Sequence, residues 1–206
     1  MMEIKLNYFD LSNDPVNSNI VIFQKNLSAD FDSLAIAWKV IKNCGRGNNH
    51  PFTFPLELSV SAGDSFGNYS PQMKAENGQL FQMTLNPSGN ELALGGRATS
   101  AKEIQLLNNL PKGAISANVY RGKKLLATKS AIAPAQKAVF EFKPSIFIGV
   151  ASQIEEGDVL NSAVLSSVYT EISLHGIAQA DIIMTGGGGG ADATPFQFRL
   201  DSVKLV

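Results

Sequence analysis

Apolar residues recur at every second position in many short runs of this chain, the spacing of half-buried β-strands. The clearest run sets Phe52, Phe54, Leu56, Leu58 and Val60 against Thr53, Pro55, Glu57, Ser59 and Ser61. Pro55 has no N–H to give to a ladder, so that strand is expected at a sheet edge or a bulge. Ile20 to Phe23 is apolar on both faces and predicts a central strand. Ile115, Ala117 and Val119 alternate with Ser116, Asn118 and Tyr120, and Tyr120-Arg121-Gly122-Lys123 reads as a tight hairpin turn. Further strands are expected at Phe140 and Phe142, over Ile146, Ile148 and Val150, over Val168, Thr170, Ile172 and Leu174, at Ile182 and Met184, and from Phe196, Phe198 and Leu200 into Val203 and Leu205. In the last, the apolar phase switches at Asp201-Ser202, which predicts a bulge or bend.

One segment carries two periods. Phe31, Leu34, Trp38 and Ile41 have helical spacing, with Asp30 placed to cap and Gly45 to stop a helix. Yet Leu34, Ile36, Trp38 and Val40 also alternate with Ala35, Ala37 and Lys39, and the β-branched and aromatic content favours strand. No other helical period persists for three turns, which argues against βαβ units and for sandwich or barrel packing. The expected fold is therefore all-β, an antiparallel β-sandwich of roughly 12–14 short strands, built as one elongated domain or as two packed β lobes. Turn-forming residues cluster at Ser12 to Asn19, Gly45 to Pro51, Gly63 to Pro71, Pro87 to Thr99, Pro111 to Gly113 and Gly186 to Pro195. Pro87 to Thr99, with Gly89, Gly95 and Gly96, offers the best boundary, dividing an N-terminal lobe, 1–95, from a C-terminal lobe, 96–206.

Composition narrows the functional classes. The 206 residues are 44% hydrophobic, enough for a sizeable core, and Lys+Arg total 17 against 18 Asp+Glu. That balance supplies no basic field for phosphate backbones, so nucleic acid is not an expected partner. Charged residues are 17% of the chain, so Ser, Asn, Gln, Thr and Gly must cover much of the surface, which leaves self-association open. No apolar run approaches the ~20 residues of a spanning helix. Met1-Met2-Glu3-Ile4-Lys5 lacks the basic and apolar regions of a secretory signal. Cys44 is the only cysteine, which excludes an internal disulfide and fits a reducing cytoplasm, although release by lysis or a non-classical route would leave the same sequence.

Gly63-Asp64-Ser65-Phe66-Gly67 matches G-x-S-x-G, the pattern that exposes a nucleophilic serine on a strand-to-helix turn. A strand precedes it, but Asn68-Tyr69-Ser70-Pro71 is turn chemistry rather than a helix, and His50 and His175 are the only imidazoles. Ordinary loop residues are the competing reading. Glu171, Ser173 and His175 share one strand face, either as a proton relay or, more simply, as the solvated side of an amphipathic strand. Cys44, Arg46 and His50 lie in one loop, either as a thiolate activated by Arg46 or, by default, as a loop thiol and histidine with no catalytic role; no C-x-x-C or H-x-x-x-H spacing supports a metal site, and no cofactor is expected. Gly186, Gly187, Gly188, Gly189 and Gly190 form a run that lacks the Lys-Ser/Thr of a phosphate loop, so it reads as a flexible hairpin tip or as a mobile loop that meets a partner. Trp38 with Phe31, or Tyr69 with Phe66, would stack on a sugar or a lipid headgroup if not used in the core.

Ile41-Lys42-Asn43-Cys44-Gly45-Arg46, followed by Phe52-Thr53-Phe54, resembles over about six residues the Ser-Cys-Gly-Arg stretch of aegerolysins. That resemblance implies a small β-sandwich that binds membrane lipid and acts with a pore-forming partner, though this chain is longer and less aromatic than that family. Three functional classes follow as expectations. The first is a non-catalytic binding or self-assembly protein. The second is a membrane-lipid- or glycan-binding module, such as a toxin or pore-forming component. The third is a hydrolase or metal-dependent enzyme.

Overall fold

The computed structural model of the chain describes residues 3–28, 34–161 and 169–206. The period-two runs form strands throughout, 17 of them among the described residues, with a single turn of 3-10 helix at Gly190–Asp192. The fold is all-β, as the alternation predicts. The chain divides into two compact units, each made of separated segments: Met1–Gln24, Ala37–Leu56 and Pro144–Val206 form the first, and Lys25–Ile36 with Glu57–Lys143 form the second. Neither unit is a contiguous half of the sequence.

The first unit holds two four-stranded sheets. One has β17 (Thr194–Leu205), β16 (Ile177–Gly187), β1 (Glu3–Asp10) and β5 (Asn49–Pro55) in that order; the other has β15 (Thr170–Ser173), β14 (Ser145–Ala151), β2 (Asn19–Phe23) and β4 (Lys39–Ile41). β1 buries Ile4, Leu6 and Tyr8 in strict alternation. The Tyr8 hydroxyl donates to Met184 Sδ at 2.9 Å, which gives a buried phenol its partner. Burial pushes the Tyr8 phenol up, and Asp10 adds to the rise. Trp38 and Phe54 meet edge to face at 5.3 Å, and Phe23 stacks on Phe147 at 5.5 Å. β2 lies between β14 and β4, which accounts for its two apolar faces, and β5 lies at an edge, where Pro55 is tolerated.

The second unit pairs a five-stranded sheet with a four-stranded one. The larger runs β3 (Leu34–Ala35), β12 (Lys124–Ile132), β11 (Ile115–Arg121), β6 (Leu58–Asp64), β7 (Met73–Ala75). The smaller runs β13 (Lys137–Phe140), β10 (Ile104–Asn108), β8 (Gln79–Asn86), β9 (Gly89–Arg97). Val60, Ala62, Ala117 and Val119 from the larger sheet share one buried cluster with Phe81, Met83, Leu106 and Phe140 from the smaller. Pairing is antiparallel except for one parallel pair in each unit, β1 with β16 and β8 with β10.

Several local expectations change. The run from Phe52 to Ser61 is two strands, because β5 ends at Pro55 and β6 begins at Leu58, on opposite sides of the unit boundary at Leu56/Glu57. The two-period segment is strand, in two pieces, β3 and β4, assigned to different units; Asp30 and Phe31 lie outside the described residues, as does Val168. Pro87 to Thr99 is mostly β9 rather than a break. A Cβ on Gly95 would lie 2.9 Å from the Gln82 side chain, while Gly89 and Gly96 take positive φ, at 123° and 137°. The hairpin at Gly122-Lys123 forms with both residues at positive φ, and Ser202, at φ 50°, marks the bulge expected in β17.

Candidate functional site

β1 and β16 run parallel and β5 runs against them, so the ends of β1 and β16 and the start of β5 share one end of their sheet. The loops leaving that end are tied together. Gly47 N donates to Asp10 O at 2.7 Å, Asn13 N to Gly186 O at 2.8 Å, and Gly188 N to Asn13 O at 2.9 Å. This end therefore gathers Cys44, Arg46, His50 and the glycine run.

The arrangement there does not activate a nucleophile. Arg46 Nη1 donates to Asn13 Oδ1 at 2.6 Å, so its guanidinium braces the loop. Cys44 and His50 line one shallow concavity of about 280 Å3. Burial pushes the Cys44 thiol up, with Asp10 adding to it, and burial pushes the His50 imidazole down, with Lys39 adding to it. Both shifts favour the neutral forms, the reverse of a thiolate–imidazolium pair. Among the described residues, no group of three His, Cys, Asp or Glu is placed to hold a metal ion.

The first two of the five glycines are packed, and Gly189 and Gly190 are exposed with open space around them. Gly186 and Gly187 are the last residues of β16, and a Cβ on Gly186 would fall 2.2 Å from Pro195 O. Gly186, Gly187, Gly188 and Gly190 all have positive φ, which explains why this bend takes glycine. Glu171 and Ser173 stand on the exposed face of β15, where Glu171 Oε1 accepts from Ser145 Oγ at 2.9 Å, and His175 follows the strand at the surface.

Asp64, Ser65 and Tyr69 lie in the second unit, whereas both histidines belong to the first. Residues 64–69 form a turn joining β6 toward β7, not the strand-to-helix elbow that G-x-S-x-G requires. The Asp64 carboxylate builds this turn. Its Oδ1 accepts from Phe66 N at 2.9 Å and Asn68 N at 3.0 Å; its Oδ2 accepts from Asn68 Nδ2 at 3.1 Å and Asn90 Nδ2 at 3.0 Å. The Asn68 side chain and backbone bonds, helped by Asn90 and Phe66, hold the Asp64 carboxyl below the usual carboxylate range. The Asn90 bond joins the larger sheet to the smaller at this end of the unit.

The braced loop presents aromatic surface outward. Phe66 is 79% exposed and Tyr69 70%. Tyr69 bridges back to Gly63, and a Cβ on Gly63 would sit 2.8 Å from Tyr69 Cε1 and 3.1 Å from Cδ1. One side of the tyrosine ring thus rests over a glycine while the rest faces solvent. Concavities open on both sides of the Asp64–Asn90 link. One, of about 320 Å3, is lined by Asp64, Asn68, Tyr69, Asn90 and Glu91 over a floor that includes Met73, Met83 and Leu92. The other, of about 380 Å3, is largely apolar and lies between Phe66, Leu85, Leu110 and Pro111, with Ser65 and Lys112 at its sides.

Asn68, Asn90, Glu91 and Leu85 were not legible as site residues. Asn90 meets Asp64 across 26 positions and between two sheets, so no local pattern announces the contact. Comparison with protein-family models, with curated proteins and with solved structures finds no match to this chain.

Proposed function

We propose that this chain is a non-catalytic binding protein whose ligand site is the Asp64–Tyr69 loop and the two concavities beside it. The observation that carries this reading is the use of Asp64: its carboxylate accepts four hydrogen bonds that fix a loop whose aromatic side chains remain largely exposed. Exposed aromatic surface on a preorganised loop is costly to keep unless something covers it, and rigid aromatics are effective anchors. Cavities of roughly 300–1,000 Å3 with a few convergent polar groups are the usual form of small-ligand sites.

Self-association has its own hook in β17, a 12-residue edge strand with Leu205 and Val206 exposed. Pro195, the bulge at Ser202, and the charges of Arg199, Asp201 and Lys204 all blunt that edge against strand addition, which favours the loop instead.

The test compares the wild type with the Phe66→Ala/Tyr69→Ala double variant on arrayed glycans and on phosphatidylcholine vesicles with and without phosphatidylserine. Ester hydrolysis is followed in parallel in the wild type and Ser65→Ala. Binding lost in the double variant supports the reading. Binding that survives it, or hydrolysis that disappears with Ser65→Ala, overturns it.

A further inference from the structure

We infer that the 320 Å3 concavity beside Tyr69 takes a neutral saccharide, seated with one ring face on Tyr69 and its hydroxyls on the surrounding oxygens. This rests on the loop being a ligand site and names what the site holds.

The first ground is the set of polar groups. Asn68 and Asn90 both turn their NH2 groups onto Asp64, so their carbonyl oxygens point away from the carboxylate. Glu91 borders the concavity, with its carboxylate held by Asn86 Nδ2 on the exposed face of β9. Among the described residues, no Lys, Arg or His lines this concavity. Amide acceptors beside a carboxylate, with hydroxyls and no cation, disfavour phosphates, sulfates and carboxylates and suit a ligand rich in O–H groups.

The second ground is the platform. Tyr69 sets its Cδ1–Cε1 side against Gly63 and leaves 70% of the residue exposed. The negative face of an aromatic ring attracts the polarised C–H groups that line one side of a pyranose. Flat apolar contact on one face and acceptors around the rim is the complement of a sugar, whose C–H and O–H groups divide in the same way.

The third ground separates a sugar from an ammonium ion, which also seeks acceptors and aromatic faces. Cation recognition is strongest in cages of several rings with an unspent carboxylate. Here Tyr69 is the one aromatic side chain lining the concavity among the described residues, and Asp64 is already saturated by four donors.

The test is saturation-transfer NMR on the full chain. The probes are methyl glucoside, methyl galactoside, methyl mannoside and N-acetylglucosamine, each to about 10 mM, ten times a Kd of about 1 mM. Glucuronate and choline are run beside them. At least one neutral saccharide is expected to bind through the protons of one ring face, with about a tenfold or greater loss in Tyr69→Ala, the scale of one lost stacking contact. Tyr69→Phe, which keeps the ring, is expected to retain binding. Thermal unfolding of each variant confirms that it is folded. The inference is overturned if no neutral saccharide binds, if binding ignores Tyr69→Ala, or if glucuronate or choline binds more tightly. When choline or vesicles bind and the loop variants abolish that binding, the saccharide falls and the ligand loop stands. When no binding depends on the loop, both fall.

Discussion

Gly63 pairs with Ser116 inside β6, and a Cβ added there would fall 2.7 Å from Ser116 Oγ and 2.8 Å from Tyr69 Cε1. Both obstacles are side-chain atoms that can rotate away, so Gly63→Ala should displace the tyrosine rather than break the sheet. The energetic sum is small. A fully buried aromatic covers about 150–250 Å2. Tyr69 is 70% exposed, so displacing it uncovers about 50–80 Å2, or roughly 1–2 kcal/mol at 25 cal/mol per Å2. Replacing glycine in a strand returns about 0.5–1 kcal/mol. The net cost is about 0–1.5 kcal/mol, a fall in Tm of no more than about 6 °C for a chain of this size. Thermal unfolding measures that term. Nuclear Overhauser contacts between the Tyr69 ring and the residue 63 Hα report the ring, strong in the wild type and weakened in the variant, while contacts within the Val60–Val119 pair stay unchanged. A Tm drop beyond about 10 °C would mean that the new methyl meets something that cannot yield. An unchanged ring contact would mean that Tyr69 does not rest over Gly63.

Three further outcomes follow from the same geometry. The Asp64 carboxyl lies below its unfolded value near 3.9, so its bonding stabilises the loop fully above that value and is lost as pH falls through the depressed folded value; protection of the Phe66 and Asn68 amides, taken relative to the intrinsic exchange rate at each pH, should fall only below about pH 4, and a loss of protection between pH 5 and 7 would contradict this bonding. Cys44 should react with iodoacetamide with a midpoint above the ordinary thiol value of about 8.5, and a midpoint below 8 would restore an activated thiolate. Gly186→Ala, at φ 89° with a backbone oxygen 2.2 Å from the new Cβ, should cost at least about 2–3 kcal/mol, whereas Gly189→Ala, extended and with nothing within 4 Å, should stay within about 0.5 kcal/mol; equal Tm values for the two would refute the close packing of the run.

The strands of the two cores were legible because one-sided burial writes itself as alternation. β1 carries that signal most plainly, β2 was read instead from an apolar run buried on both faces, and the bulge at Ser202 shows where the phase of β17 slips. β9 was not legible, because an edge strand buries little of either face and its three glycines read as breakers, although two of them lie within the strand. The split between β5 and β6 was hidden for the opposite reason: both continue the same phase, and the change of unit falls in the two residues between them. Of the site, Asp64 and Ser65 were singled out for a serine pattern and Tyr69, with Phe66, for stacking, while the structure uses Asp64 to brace a loop. Its partner Asn90 is brought close only by pairing β8 with β9 and packing the two sheets, which single-sequence spacing does not encode. The glycine run suggested a flexible tip by composition; the structure packs Gly186 and Gly187 closely and gives four of the five glycines a positive φ, which composition alone does not announce.

The parallel pair at the centre of the first unit sets an order of events during synthesis. β1 ends at Asp10, and its partner β16 begins at Ile177, after the second unit's last residue, Lys143. At about 5–20 residues per second, β1 leaves the ribosome roughly 10–30 s before β16 exists. Over that interval β5 is the one partner in its sheet that β1 can have, and the second unit acquires all of its strands before β16 is made. The nascent first unit thus carries an unpaired edge of alternating Ile4, Leu6 and Tyr8, and a holding chaperone or a truncated chain would meet the protein there first.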